Sequence, residues 1–568
     1  MNAPMSQLDN RRRWTIMFAV MLGLFLSAMD QTIVGTAMPR IIAELSGIKL
    51  YSWVFTSYML ASTALVPIIG KMGDIYGRKP FFLGGIVIFL IGSVLSGVSQ
   101  SMMQLIIFRG IQGLGGGFIF ANAFAIVGDL FTPAERGRYA GMMSGVFGLA
   151  SVIGPLVGGT ITDNLSWRWV FYVNIPLGLA ALFVLSTVLP GSQRHAAGRK
   201  LDYAGAVTLA AAIVPLLLGF AWAGNEYSWT DPRIVGCFSL SAVMFAAFLI
   251  IETRAEEPIV PLPIFRNPIF AVSISATFVS GAAMYSGMIY VPLFMQGVLH
   301  FSATNAGMVT MPMTVSMVAG SMLGGQIVSR TGKYKRNSVL GMAVAAAGLY
   351  LLSLLSIHSR QTTGMADMAI VGFGLGLTIP TLVLAAQNAV PHSMLGVSSS
   401  LIQFARSVGG TIGVAIMGSI MARRLDSELS TGLPAEIQQR APAPLLEALK
   451  SPRVLLDSNA LTALHDEAFM PIFGADGDRL FNAAIDSMKQ ALATSITEVF
   501  LISMIIMLVA FVLTFFLREQ PLRTTNEIPS AVETAAAAEG PQPGPSVAQP
   551  QPLHQARDRA SARTDRLP

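Results

Sequence analysis

Long apolar runs separated by short polar breaks dominate this chain. Fourteen runs stand out: 14–38, 53–71, 81–100, 104–128, 139–162, 169–190, 203–222, 234–251, 269–296, 304–329, 337–357, 364–388, 396–421 and 493–517. A helix needs about 20 mostly apolar residues to cross a bilayer, and each run predicts one such helix. The first follows Arg11-Arg12-Arg13 and resembles a signal peptide. From Trp14 to Met38 it is too long for that and has no small-x-small cleavage site, so it reads as an uncleaved helix.

The breaks add orientation. With the N-terminus placed in the cytoplasm, the cytoplasmic breaks hold 17 Lys and Arg, and the outer short breaks hold 5. This is a positive-inside bias, and an even helix count returns the C-terminus to the same side. Two stretches lack membrane character. Residues 422–492 carry many charges and Leu-rich amphipathic pieces such as Pro444 to Leu456, and by helix parity they face outward. Residues 521–568, rich in Ala, Pro, Gln and Glu, predict a disordered cytoplasmic tail.

A faint repeat divides the runs. Gly70 and Gly77 are followed by Arg78 and Lys79, and Gly325 and Gly332 by Lys333 and Lys335. Each pair ends the second run of a set of six, as in transporters built from two parallel halves. The expected organisation is a six-helix bundle over 1–190, two extra helices over 191–265, and a second six-helix bundle over 266–520 that includes the outer loop 422–492.

Composition excludes a soluble globule. The 568 residues are 53% hydrophobic and 12% charged, against about 25% charged in soluble domains. The net charge of +6 then fits basic membrane loops rather than a nucleic-acid partner. Cys237 is the only cysteine, so neither an internal disulfide nor a cysteine metal site is expected.

Several polar motifs interrupt the apolar pattern. Gly70-Lys71-Met72-Gly73-Asp74-Ile75-Tyr76-Gly77-Arg78-Lys79-Pro80 joins the second and third runs, and it resembles the signature loop of the major facilitator superfamily. Arg109-Gly110-Ile111-Gln112-Gly113 resembles that superfamily's helix-four motif, and Gly154-Pro155-Leu156-Val157-Gly158-Gly159 the motif of its antiporters. Met29 to Pro39, Trp167 to Pro176 and Gln403 to Gly410 are similar to stretches of its fourteen-helix drug:proton antiporters, with Gly35-Thr36 standing where many members carry Asn-Val. The resemblance spans residues 14 to about 517 and implies an all-α membrane fold of two six-helix bundles plus two inserted helices.

Charge inside a bilayer costs several kcal/mol and marks a pathway or a partner. At about 1.5 Å per residue, Asp30 and Arg109 both fall in the outer half of the membrane. They are the expected proton-coupling pair if their helices adjoin. Gly70, Gly73, Asp74, Gly77, Arg78, Lys79 and Asp129 form the expected cytoplasmic gate. Gly154, Pro155, Gly158 and Gly159 are expected in tight helix packing, read as a sliding contact between the halves. Gln31, Thr32, Gln112, Asn122, Gln403 and Arg406 are the candidate substrate-cavity residues. Runs nine, ten and thirteen carry no acid, so the cavity is expected to prefer neutral, monocationic or anionic amphipaths over dications.

Enzymatic function finds no support. Gly325 to Lys333 has the wrong spacing for a phosphate loop, and neither a zinc-protease motif nor a nucleophile elbow occurs. The resemblance implies a proton-coupled exporter of drugs or similar small amphipaths, working by alternating access in a cytoplasmic membrane, and no metal or cofactor is expected. Its partners are a small-molecule substrate, protons and the lipid bilayer, with a periplasmic adaptor protein if the host has an outer membrane. Two alternatives stand beside it: an exporter dedicated to one metabolite, lipid or siderophore, and a membrane receptor or scaffold that uses 422–492.

Overall fold

The computed structural model describes residues 9–45, 50–191, 201–223, 226–299, 301, 308–449 and 458–522. Among these the structure is helical, with a lone bridge between Ala223 and Tyr227 and no strand. The helices that build the spans are α1 Asn10–Leu45, α2 Tyr51–Ala64, α3 Val66–Tyr76, α4 Arg78–Gly97, α5 Met102–Leu130, α6 Pro133–Asn164, α7 Trp169–Tyr172 and α8 Asn174–Val188. They continue with α9 Tyr203–Trp222, α10 Pro232–Glu252, α11 Pro268–Gly297, α12 Met311–Thr331, α13 Tyr334–Ser353, α14 Gln361–Asn388, α15 Leu395–Gly432 and α16 Gly477–Phe515. The predicted tail lies almost wholly outside the described residues.

Twelve helices of the described residues are long and apolar enough to cross a membrane, and α2 with α3 makes a thirteenth span, bent by 40°. The bend has a local cause: Pro67 in the first turn of α3 has no N–H to continue the hydrogen-bond ladder. α7 and α8 together make one span. The remaining helix, α13, opens with the polar turn Tyr334-Lys335-Arg336-Asn337, which lowers its hydropathy. It is nonetheless packed inside the second bundle, where Gly341 and Gly348 admit the backbone of α14.

Packing follows small residues, as expected where lipid supplies no hydrophobic drive between helices. A side chain on Gly92 or Gly115 would collide with the α4–α5 partner backbone, and one on Gly281, Gly409 or Gly413 with the α11–α15 partner. The inserted hairpin α9–α10 leans on α2 and α15, with Leu209, Ile213 and Phe248 in one apolar cluster with Leu401, Ile402 and Val408.

The region 422–492 differs from a simple loop. α15 runs to Gly432 and α16 starts at Gly477, so both ends of the region are continuations of spans. At 38 residues α15 is about 57 Å long, well beyond a hydrocarbon core of about 30 Å. Between these ends lie short helices whose Ile437, Leu445, Leu449, Phe469 and Phe473 are buried in the same cluster as the second bundle. Part of the stretch Pro444 to Leu456 lies outside the described residues.

The faint glycine repeat has a structural counterpart. Gly77 and Gly332 both take positive φ, 92° and 70°, which glycine adopts without steric cost. Gly70 and Gly325 both touch the opposite bundle: a Cβ on Gly70 would meet Ser400 Oγ at 2.3 Å, and one on Gly325 would meet the Gly137 carbonyl at 2.0 Å.

Candidate functional site

Asp30 lies on α1 and is fully buried, beside Arg109 of α5, itself 1% exposed. Arg109 Nη1 forms an ion pair with Asp30 Oδ2. Gln112 Nε2 donates to Asp30 Oδ1 at 2.8 Å, and Asn174 Nδ2 donates to the same oxygen at 3.0 Å. Ser93 Oγ of α4 accepts from Gln112 and Asn174 and donates to the Phe171 carbonyl at 2.8 Å. The Arg109 guanidinium also stacks 4.4 Å from the Tyr58 ring centroid, and the Tyr58 hydroxyl lies 2.9 Å from Ser27 Oγ. Four spans thus converge on one carboxylate. Gly92 makes this possible, because any side chain there would strike the Gln112 backbone at 2.5 Å.

At the end of the molecule that carries the basic breaks, Asp74 bridges the two bundles. Its Oδ1 accepts from Gly396 N at 3.0 Å and its Oδ2 from Val397 N at 2.9 Å. These N–H groups open α15, where the first turn leaves donors unpaired and the helix dipole favours an anion. Arg78 Nη2 pairs with Asp74 at 2.8 Å, and Arg78 Nε pairs with Asp129. Gly73 is closed over by Asn122, whose Oδ1 a Cβ would meet at 2.5 Å. Lys79 stands apart: its Nζ donates to the Ser186 and Leu189 carbonyls at 2.7 and 2.6 Å, capping α8 within the first bundle. A second contact between bundles runs along α6 and α12, where Gly137, Gly141, Gly145 and Gly148 meet Gly325, Ser321 and Val318. Both contacts close the basic end.

Several expected positions change role. Gly154 and Gly158 do pack tightly, but against Thr32, Ile33 and Thr36 of α1, in the same bundle. The close contact between bundles falls instead to the glycines about two to five turns earlier on α6. Pro155 is exposed, and a Cβ on Gly159 would meet nothing. Thr32 is pinned in that α1–α6 interface, its hydroxyl donating to the Ala150 carbonyl at 3.1 Å. Gln112 serves Asp30, and Asn122 donates to the Phe118 carbonyl at 3.0 Å beneath Gly73; neither has surface left for a guest. Gln31 is exposed on α1. Gln403 and Arg406 are half-buried on α15, with Arg406 donating to Gln403 Oε1.

Sequence reasoning missed Ser93, Asn174 and Tyr58. Asn174 stood within the quoted stretch Trp167 to Pro176; Ser93 and Tyr58 carried no signal, because one polar group in an apolar run does not reveal which neighbour it faces. The same stretch holds the far end of α1: Trp167 Nε1 donates to Glu44 Oε2 at 2.7 Å, and Arg168 pairs with Glu44 Oε1. These bonds, Arg168 first, hold the Glu44 carboxyl below its usual range.

One family profile, that of the Major Facilitator Superfamily, matches residues 20–414. The chain belongs to that superfamily. This facilitator is 36% identical over 521 residues to Multidrug transporter protein MdtP of Bacillus subtilis (strain 168), covering 91% of this chain and 94% of the relative. It is 37% identical over 513 residues to Multidrug resistance protein 3 of the same organism, covering 90% and 96%. Among solved structures it shares its fold with the proton:xylose symporter XylE, at TM-score 0.56 and 12% identity over 93% of this chain and all of that one. The human organic anion transporter MFSD10 also has this fold, at TM-score 0.56 and 13% identity over 87% and 99%. As a multi-pass facilitator with transporter relatives, the protein moves a small molecule and is not an enzyme.

Proposed function

We propose that this facilitator exports small amphipathic molecules in exchange for protons, and that Asp30 carries the proton. The supporting observation is a fully buried carboxylate whose partners sit on other helices, Arg109 and Gln112 on α5 and Asn174 at the start of α8. As the first bundle rocks against the second, an accompanying shift of α5 against α1 inside that bundle withdraws the Arg109 charge. A carboxylate left in a dry site without its countercharge takes up a proton, and the reverse shift expels it. Proton uptake and release are thereby tied to which side the cavity faces.

In this reading the basic end is cytoplasmic, both termini lie there, and the membrane is the cell membrane. With Asp30 neutralised by Arg109, Arg406 leaves the cavity positive. Neutral, monocationic or anionic amphipaths then suit it better than dications. The relatives named as multidrug transporters favour a broad range over one dedicated metabolite.

The test uses proteoliposomes with an imposed proton gradient and a fluorescent dye. Wild type should move dye uphill, and a protonophore should stop it. Asp30→Asn should reach the membrane in normal amount yet lose uphill transport. Uphill, protonophore-sensitive transport by Asp30→Asn would remove Asp30 from the mechanism.

A further inference from the structure

The inserted hairpin carries two carboxyl groups that the transport reading does not use. Asp202 caps α9, its Oδ1 accepting from Gly205 N at 2.8 Å. Glu252 ends α10, its Oε1 accepting from Val260 N. Each acid has one oxygen left, Asp202 Oδ2 and Glu252 Oε2, and both are buried without a hydrogen-bond partner. The two oxygens border one small space: the point where a Gly205 Cβ would sit is 2.3 Å from the first and 3.1 Å from the second. Glu252 is only 4% exposed, and Phe248, Ile259 and Val260 are buried around it. Its place at a helix C-terminus, the negative end of the dipole, further disfavours an anion there.

Two adjacent anions in such surroundings are costly, and nothing among the described residues neutralises both. The cation facing Glu252 is Lys71 of α3, and Lys71 Nζ is engaged by Glu257 at 2.9 Å, from the segment after α10. One proton resolves the conflict by turning two repelling oxygens into a donor and an acceptor. We infer that Asp202 and Glu252 form a second proton-binding site, at the basic end and separate from Asp30.

The site is wired to the latch. Lys71 precedes Asp74 by less than one turn of α3, and Asp74 holds the first N–H groups of α15. With the proton bound, Lys71 has Glu257 to balance. Without it, Glu252 becomes a rival carboxylate for the same ammonium group, and Asp202 repels the Glu252 carboxylate. The proton on this pair therefore sets how firmly the hairpin holds α3.

The experiment is a pH titration of the protonated-carboxyl infrared band, on the full chain in lipid nanodiscs. An Asp367→Asn background removes another buried acid with an unpartnered oxygen. The band that persists above the range where ordinary carboxyls ionise should disappear as pH rises further, and Glu252→Gln should lack that persistent band. Asp202→Asn, which keeps a capping oxygen, should shift its loss to higher or lower pH by removing the partner; an unshifted titration overturns the pair. A band that survives in Glu252→Gln also overturns it. Asp30→Asn should keep the band even if it loses uphill transport, so this site and the Asp30 reading fail separately; loss of the band in Asp30→Asn would assign it to Asp30 and overturn the second site.

Discussion

Asp74→Asn tests the latch at the basic end. The change keeps the size of the side chain and removes its charge. Asp74 now accepts from Gly396 N and Val397 N, one on each oxygen, and from Arg78. The amide offers one acceptor oxygen, and its NH2 group faces a backbone donor. At least one bond is lost and another loses its charge assistance. Hydrogen bonds to charged groups contribute about 1.5–3 kcal/mol each, so the closed arrangement should lose about 3 kcal/mol. At a factor of ten per 1.4 kcal/mol, the closed-to-open ratio falls by about two decades. Arg78 retains Asp129, which keeps the first bundle's side of the latch folded. Spin labels at the exposed Tyr76 and Ser393, with Cys237→Ser, report the gap by electron–electron distance measurement. A longer-distance population should appear in Asp74→Asn, turnover should fall, and equilibrium binding of a dye should stay within error. An unchanged distance distribution would falsify the latch, and a large loss of binding would place Asp74 in the substrate site.

Three further outcomes follow from the geometry. Gly70→Ala places a Cβ 2.8 Å from the Gly396 carbonyl; overpacking of this kind costs about 1–3 kcal/mol, so the same labels should report an opened basic end with Asp74 intact. Matched mono- and dicationic dyes competing with a neutral substrate should show the dication as the weaker inhibitor, and Arg406→Gln should narrow the difference; stronger inhibition by the dication in wild type contradicts the cavity charge. Glu44 has a depressed carboxyl range owing to Arg168 and Trp167. Its tie is therefore fully present above the usual glutamate range and is lost only as pH falls through the depressed value. Trp167 fluorescence should hold constant through the ordinary glutamate range and change only at lower pH, whereas Glu44→Gln should abolish that transition.

The sequence by itself determined that the chain is a succession of apolar spans, which end is basic, and that Asp30 and Arg109 lie within spans. Those properties are local: a run of about 20 apolar residues is a span wherever it lies, and a charge inside it is costly whatever its neighbours. The second glycines of the repeat were legible for the same reason, since a turn with positive φ needs glycine on the spot. Partnership was not local. Asp74 meets backbone donors 322 and 323 residues away, and Asn174 meets an acid 144 residues away. Membrane helices are apolar on the faces they turn to lipid and on those they turn to one another, so hydrophobic patterning cannot say which faces meet. Only the tertiary structure set Gly154 against α1 rather than the other bundle, moved Gln112 and Asn122 from the cavity into buried networks, and turned Lys79 from the gate to the end of α8. It also brought Asp202 beside Glu252, because the fold of the inserted hairpin alone joins the first turn of one helix to the last turn of the next.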